Sequence, residues 1–312
     1  MSNGALHNMA MVEESTYGTT PGSPTMETVR HNSTTLNLSK DVIKSEELRS
    51  DRMPTDSRHG PHQIGGDIVS EISWGGNIDT ILEAVVLGTW ANETPASGTD
   101  QLKAATTRRS FTIRRHFGDL DSGNAYHIFT GCEFNSVSIS MTPGAIVTMT
   151  FGIIGQGQST QASEISGATI TSATTSEAMT AIEGSILEGG STIGTVTDVS
   201  LEVNNGMDTR FSIGSDETLQ PSVGRATVTG TMTAYFEDQA LLDKFINETN
   251  SSLDVRLQDT AGNQYRFYCP NIVYTSGQPD VEGEGPIVLS MGFDAVLDST
   301  EATNLIIERT AA

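Results

Sequence analysis

The chain has 312 residues, 36% of them hydrophobic, and a net charge of −22 from 17 Lys and Arg against 39 Asp and Glu. Length alone allows about two domains of roughly 100–200 residues each, and the charge excludes a groove that grips nucleic acid by releasing counterions. Only four Lys, and 31 Gly without a three-residue period, exclude a coiled coil and collagen; the abundant β-branched residues read as mostly β.

Residues 1–165 carry 11 basic and 18 acidic groups, and residues 166–312 carry 6 and 21. A binder of phosphate or of an anionic membrane shows the opposite sign. Met1 to Val12 has no basic start followed by an apolar stretch, and no run approaches 18 apolar residues, so neither a signal peptide nor a membrane span is expected. Cys132 and Cys269 are too few for a disulfide framework and sit in strand-like runs, where a buried thiol acts as a small apolar group.

In chain order the elements repeat. Leu36-Asn37-Leu38 and Ser50-Asp51 line up with Leu201-Glu202-Val203 and Ser215-Asp216 at a constant offset. An alternating run (Ile68 to Trp74) leads into an amphipathic stretch, Asp79 to Leu87, as Ala226 to Tyr235 leads into Glu237 to Ile246. Ser110 to Arg114 answers Ser252 to Arg256, and Gly144 to Val147 answers Gly285 to Val288. Four anchors in one order indicate a duplication. Each half reads strand, strand, short helix, strand, strand: Thr227, Thr229, Thr231 and Thr233 alternate with Val228, Met232 and Ala234, while Ile78, Ile81, Leu82 and Val85 hold helical spacing with Asn77 as N-cap.

These patterns predict two tandem, homologous β-sandwich or barrel domains, each with one short α-helix. Residues 1–30 read as an N-terminal arm, 31–160 as the first domain with a long polar loop at 48–66, and 161–180 as a Ser/Thr-rich linker. Residues 181–298 read as the second domain and 299–312 as a C-terminal arm; Asn92 to Thr107 and Gln156 to Thr175 read as linkers.

Chemistry is sparse. The chain contains no GxSxG, Walker-type, HExxH or CxxC pattern, so neither an enzyme nor a cofactor is expected. His59 and His62 flank Pro61 in a loop-like stretch and read as solvated rather than as metal ligands. Asp119, Asp121 and Asn124 resemble the start of a calcium loop, but the twelfth position is Thr130 instead of Glu. Glu282 and Glu284 share a side within a Gly-rich loop, and Trp74 and Trp90 read as core residues bordering the first helix.

The run Glu13 to Pro21 followed by Pro24-Thr25 resembles the start of tail tube proteins of long-tailed, non-contractile bacteriophages. So do Ser45 to Arg52 leading through Gly65 to Ile68, then Gly88-Thr89-Trp90, Pro143 to Val147, Glu183-Gly184-Ser185 with Ile193-Gly194, and Val199 to Asn205. The likeness spans nearly the whole chain in order, on structural rather than catalytic motifs.

The resemblance implies the tail-tube fold, with sheets that pair between neighbours to close a ring around a β-barrel channel, and rings that stack into a tube conducting the genome. The family ring holds six domains, so a duplicated chain implies a trimeric, pseudo-hexameric ring. Implied partners are other copies of the chain, a tape measure protein inside the tube, a tail terminator and distal tail or baseplate proteins at its ends. DNA passes through without specific binding and no membrane is entered; the location is the virion tail, reached from the host cytoplasm. A loop that is long, polar and unmatched in the other half is assigned to contacts between rings, through Leu48, Arg49, Asp51, Arg52, Met53, Asp56, Arg58, His59 and His62. Acidic residues inside alternating strands are assigned to the channel surface: Asp67, Glu71, Glu133, Glu202, Asp254 and Asp294. The competing reading is an extracellular β-sandwich adhesin or surface-layer protein.

Overall fold

A computed structural model of the chain describes residues 3–312 apart from 49, 52, 54, 121–124, 194 and 282. In chain order the first half gives β1 (His7–Glu13), β2 (Thr25–Val29), β3 (Ser33–Thr34), β4 (Asn37–Lys44), β5 (Ser57–Glu71), α1 (Asn77–Val86), β6 (Thr99–Lys103), β7 (Phe111–Phe117), β8 (Tyr126–Met141), β9 (Thr148–Gly155), β10 (Gly157–Gln161) and β11 (Thr169–Thr171). The second half gives β12 (Ser185–Glu188), β13 (Ser191–Thr192), β14 (Val196–Asn204), β15 (Asp208–Arg210), β16 (Leu219–Ser222), β17 (Thr227–Tyr235), α2 (Ala240–Ile246), β18 (Ser251–Gln258), β19 (Gln264–Tyr274), β20 (Gln278–Asp280), β21 (Val288–Ala295) and β22 (Ile306–Thr310).

Alternation drives most of this. In β9, Met149, Phe151, Ile153 and Gly155 are buried and the residues between them are not; β17 and β21 repeat the pattern. Apart from β15 and β16, which pair only with each other, the strands join into one large mixed sheet in which β11 lies parallel to β2 and the other pairings are antiparallel. The 16-residue β8 is its hinge. Its first part pairs with β7 and β10, its second with β9 and β14, and a bulge between Phe134 and Ser136 marks the change. Through β8 and β14 the two halves become one surface, ordered β4–β5–β9–β8–β14–β17–β21–β19.

Several expected connectors are strands. The N-terminal segment carries β1 and β2, with Met9, Ala10, Met11, Met26 and Val29 buried, and β1 pairs with β7 along its whole length. The C-terminal segment carries β22, whose Ile306 and Ile307 are buried; it pairs with β19 on one side and with β6, from the stretch expected to be a linker, on the other. The linker-like residues after Gln156 likewise hold β10 and β11. The long loop is shorter than expected, because β5 begins at Ser57 and pairs with β4 as far as Gly65.

Both helices stand where the periodicity put them. Ile78, Ile81, Leu82 and Val85 of α1 are buried. Asn77, however, is the first helical residue rather than the cap: the cap position is Gly76, at φ 64°, and the Asn77 Nδ2 donates instead to the Thr28 carbonyl at 3.2 Å. Trp74 and Trp90 pack partly buried against a core cluster that runs through both halves. Cys132 and Cys269 are free and buried, and burial pushes both thiols up, Cys269 to about 12.

Candidate channel face and assembly surfaces

One face of the joined sheet is the core; the register fixes what stands on the other. Asp67 lies opposite Gly152, which lies opposite Ser136 and then Asn204. Two residues along, Val69, Thr150, Ser138, Glu202, Thr229 and Asp294 form the next cross-strand row. Glu71, Thr148, Ser140, Ser200 and Thr231 form the row after that. The face is therefore mostly Ser, Thr and carboxylate across both halves, with Val69 and Ile154 half-buried among them, and none of its positions in β5 from Gly65 onward, in β9, in β8 from Ser136, or in β14, β17 and β21 is Lys or Arg. Hydroxyls tie neighbouring strands together, as in Ser200 Oγ to Thr231 Oγ1 at 2.7 Å and Thr233 Oγ1 to Ser290 Oγ at 3.3 Å.

Four of the six carboxylates expected at a channel surface stand on this face. Asp67, Glu202 and Asp294 are exposed and Glu71 is half-buried, accepting from Asn32 Nδ2 at 3.1 Å. Among the described residues no ion pair involves any of the four. Asp198, which the sequence reading passed over, stands on the same face across a bulge and accepts from Thr142 Oγ1 at 2.9 Å. The alternation Val196, Asp198, Ser200, Glu202 was the signal that could have found it.

Glu133 and Asp254 correct the expectation. By register Glu133 shares the face with Asp67, but it is 1% exposed. Arg108 from the first half donates to it through Nε at 3.1 Å and Nη2 at 2.7 Å, and Gln220 from β16 donates at 2.9 Å. A carboxylate covered within its own chain cannot line a channel. Asp254 lies on β18, away from that face, and is held between Arg256 and Arg266 at 2.8 and 2.9 Å. Burial pushes its carboxyl up, but the hydrogen bonds and charges of the two guanidinium groups outweigh this and hold it below the usual carboxylate range.

Of the residues assigned to contacts between rings, Arg49 and Arg52 lie outside the described residues. Leu48 is 100% and Met53 69% exposed, Asp51 and His59 are also exposed, and Arg58 pairs with Asp56 at 2.9 Å. His62 does not project. Its backbone N–H donates to the Asp216 carbonyl at 2.7 Å, where the connection between β14 and β17 folds back over the first half. That connection also places Thr218 Oγ1 on the Gly155 carbonyl at 3.0 Å and carries the Gln220 contact to Glu133. Asp121, Asn124 and Glu282, weighed as calcium or acid/base candidates, lie outside the described residues.

No helix among the described residues is long and apolar enough to cross a membrane. No curated protein matches the chain. A family model described as phage tail tube protein matches residues 4–295, nearly the whole length. The β-rich sheet and that match agree: the chain belongs to the phage tail tube protein family, whose members are structural proteins that polymerise with themselves in the virion tail.

Proposed function

We propose that three copies of this chain close into a pseudo-sixfold ring of a long, non-contractile phage tail, and that stacked rings form the tube that conducts the genome. The observation that carries this reading is the mostly polar face of the joined sheet, continuous across both halves and without Lys or Arg from Gly65 of β5 through β21. Duplex DNA carries one charge per ~1.7 Å of axis. A surface of hydroxyls and unpaired carboxylates repels it weakly and evenly, so the polymer slides without sticking, and Asp67, Glu71, Glu202 and Asp294 face it.

The joint between β8 and β14 supports the ring. It is an edge-to-edge antiparallel ladder from Met141↔Val199 to Ser136↔Asn204, made inside one chain between a first-half and a second-half sheet. The outer edge of β4 and the outer edge of β20 are left unpaired by the named strands, whereas β19 is covered on that side by β18 as far as Ile272. Such edges are a liability in a free subunit and a joint in a ring. Pairing β4 of one copy with β20 of the next repeats the internal joint between chains. Eight strands per chain then make a closed barrel of about 24 strands; at ~4.8 Å spacing and ~40° tilt its backbone diameter is ~48 Å, ample for a duplex. The halves themselves are read as a duplication, with α1 and α2 in corresponding places after β5 and β17. The tape measure protein occupies the channel before DNA does, and terminator and baseplate proteins cap the ends.

Native mass spectrometry of rings released from assembled tubes tests this. Three chains of 33.2 kDa give about 100 kDa; a ring near twice that mass rules out the three-chain closure.

A further inference from the structure

Four of the six histidines, His7, His31, His116 and His127, gather with Arg114 and Arg115 at one end of the sheet formed by β1, β7 and β8. His7 lies opposite Phe117, and Arg115 lies opposite Met9 on one side and His127 on the other. The Phe117 ring fills the space between them. Its centroid is 5.1 Å from that of His7 and 4.9 Å from that of His127, and the Arg115 guanidinium stands 5.3 Å from it.

The hydrogen bonds at this end run in one direction. Arg115 Nε can only donate, so His7 Nε2, 3.1 Å away, must offer its lone pair. The His7 proton is then on Nδ1 and donates to His31 Nε2 at 2.9 Å; the His31 proton, on Nδ1, donates in turn to the Val29 carbonyl at 3.1 Å. Arg115 Nη1 also donates to the Leu36 carbonyl at 2.5 Å. The relay thus ties β7 to the first residue of β1, to the end of β2 and to the residue that leads into β4. Both rings are neutral, and each of their nitrogens is used. A proton added to His7 Nε2 would face the Arg115 N–H, and the groups around the ring do not reward it. Burial, and then the charges of Arg115, His31, His116 and Arg114, lower the His7 pKa from 6.5 to about 4. His127, across β7, is lowered in the same way by burial and Arg115. Of the nearby carboxylates, Glu164 pairs with Arg114 at 2.8 Å, and Asp119 accepts from the Asn3 N–H.

We propose that this relay is an acid-operated latch: a proton taken up by His7 breaks it and releases the start of β1 and the entry into β4 together, while the second-half strands stay folded. All six histidines lie in residues 1–165 and residues 166–312 hold none, so the second half lacks the side chain that titrates at mildly acid pH. The sign follows from the proton count. The opened segment binds the proton at the ordinary histidine value of about 6.5, and the latched one only near 4; the latch is therefore closed above about pH 6.5 and opens progressively as the pH falls toward 4. Between pH 7 and 5 its opening equilibrium is expected to rise about tenfold, after allowance for the partial exposure of His7.

The test is hydrogen exchange of the unassembled subunit, read by mass spectrometry and corrected for the intrinsic pH dependence of amide exchange. Between pH 7 and 5, peptides covering residues 7–13 and 35–40 are expected to lose about tenfold in protection, while peptides covering β17 and β21 keep theirs. In the double variant His7→Gln with His31→Gln, the side-chain amides can donate and accept without taking up a proton, and the loss is expected to disappear. Protection of β1 that does not change with pH, an equal loss in β17 and β21, or an undiminished loss in the double variant overturns the latch. If the double variant does not fold, an NMR titration of the His7 ring in the unmodified protein decides: a midpoint near 4 supports the latch, and one near 6.5 overturns it.

Discussion

Replacing Glu133 by Ala removes a buried carboxylate that accepts three hydrogen bonds from two different regions of the chain. Arg108 supplies two of them and Gln220 the third; Arg108 also donates to the Pro221 carbonyl at 2.9 Å. Breaking a fully buried ion pair costs roughly 3–5 kcal/mol, because the surviving charge is left uncompensated. Here Glu133 is 1% exposed but Arg108 is 27% exposed, so the guanidinium regains some water and the expected loss is about 2–4 kcal/mol. For a chain of this size that lowers the melting temperature by roughly 3–6 °C. Calorimetry of the unassembled subunit measures it, and a double-mutant cycle with Arg108→Ala isolates the pair, with an expected coupling above about 1 kcal/mol. A fall of less than about 2 °C, or additive single variants, means that Glu133 is not the buried clasp between Arg108 and β16 and returns it to the candidates for the channel surface.

Acid should loosen the subunit through His7, which accepts from Arg115 Nε at 3.1 Å and bonds His31 at 2.9 Å; burial first, and then the Arg115 charge, lower its pKa from 6.5 to about 4. Between those values the unfolded chain binds the proton and the folded one does not, so stability is full above about 6.5 and falls as pH drops toward 4, by on the order of 1–2 kcal/mol after allowance for partial exposure; a urea midpoint as sensitive to pH in His7→Gln as in the parent refutes it. Gly66 sits at φ 137°, where an added Cβ would lie 2.5 Å from the Thr35 carbonyl oxygen, so Gly66→Ala is expected to cost about 2–4 kcal/mol, and an unchanged melting temperature contradicts the β4–β5 geometry. Excising residues 46–55 should leave a folded subunit whose rings do not stack, whereas normal tubes in electron micrographs exclude this loop from stacking. Glu71→Lys with Glu202→Lys should assemble yet slow genome release in a way that high salt relieves; ejection at the parental rate at low ionic strength means that these side chains do not meet DNA.

The elements that were legible carry their signal locally. Thr and apolar residues alternate through β17, and the spacing of Ile78, Ile81, Leu82 and Val85 marks α1, because each pattern matches a single face. β1 and β22 were read as arms because their partners are remote: Met9 lies opposite Arg115, and Ile307 opposite Leu102. Such short strands gain their stability from pairings that no local window contains. The carboxylates assigned to the channel show the same division. Strand parity correctly put Asp67, Glu202 and Asp294 on open faces and Glu133 on the face of Asp67. It could not reveal that Gln220 and Arg108, each reached through a distant connection, cover Glu133, nor that Asp254 lies between two Arg of neighbouring positions.

The central claim is that the Ser, Thr and carboxylate face of the joined sheet lines the channel of a three-chain ring. A cryo-electron microscopy reconstruction of tubes assembled from the unmodified protein tests it most directly. The expected map has three chains per ring related by pseudo-sixfold symmetry, β4 of each paired with the β20 edge of its neighbour, and Asp67, Glu202 and Asp294 pointing into the lumen. A map with six chains per ring, or with that face turned to the outer solvent and another surface lining the channel, contradicts the account.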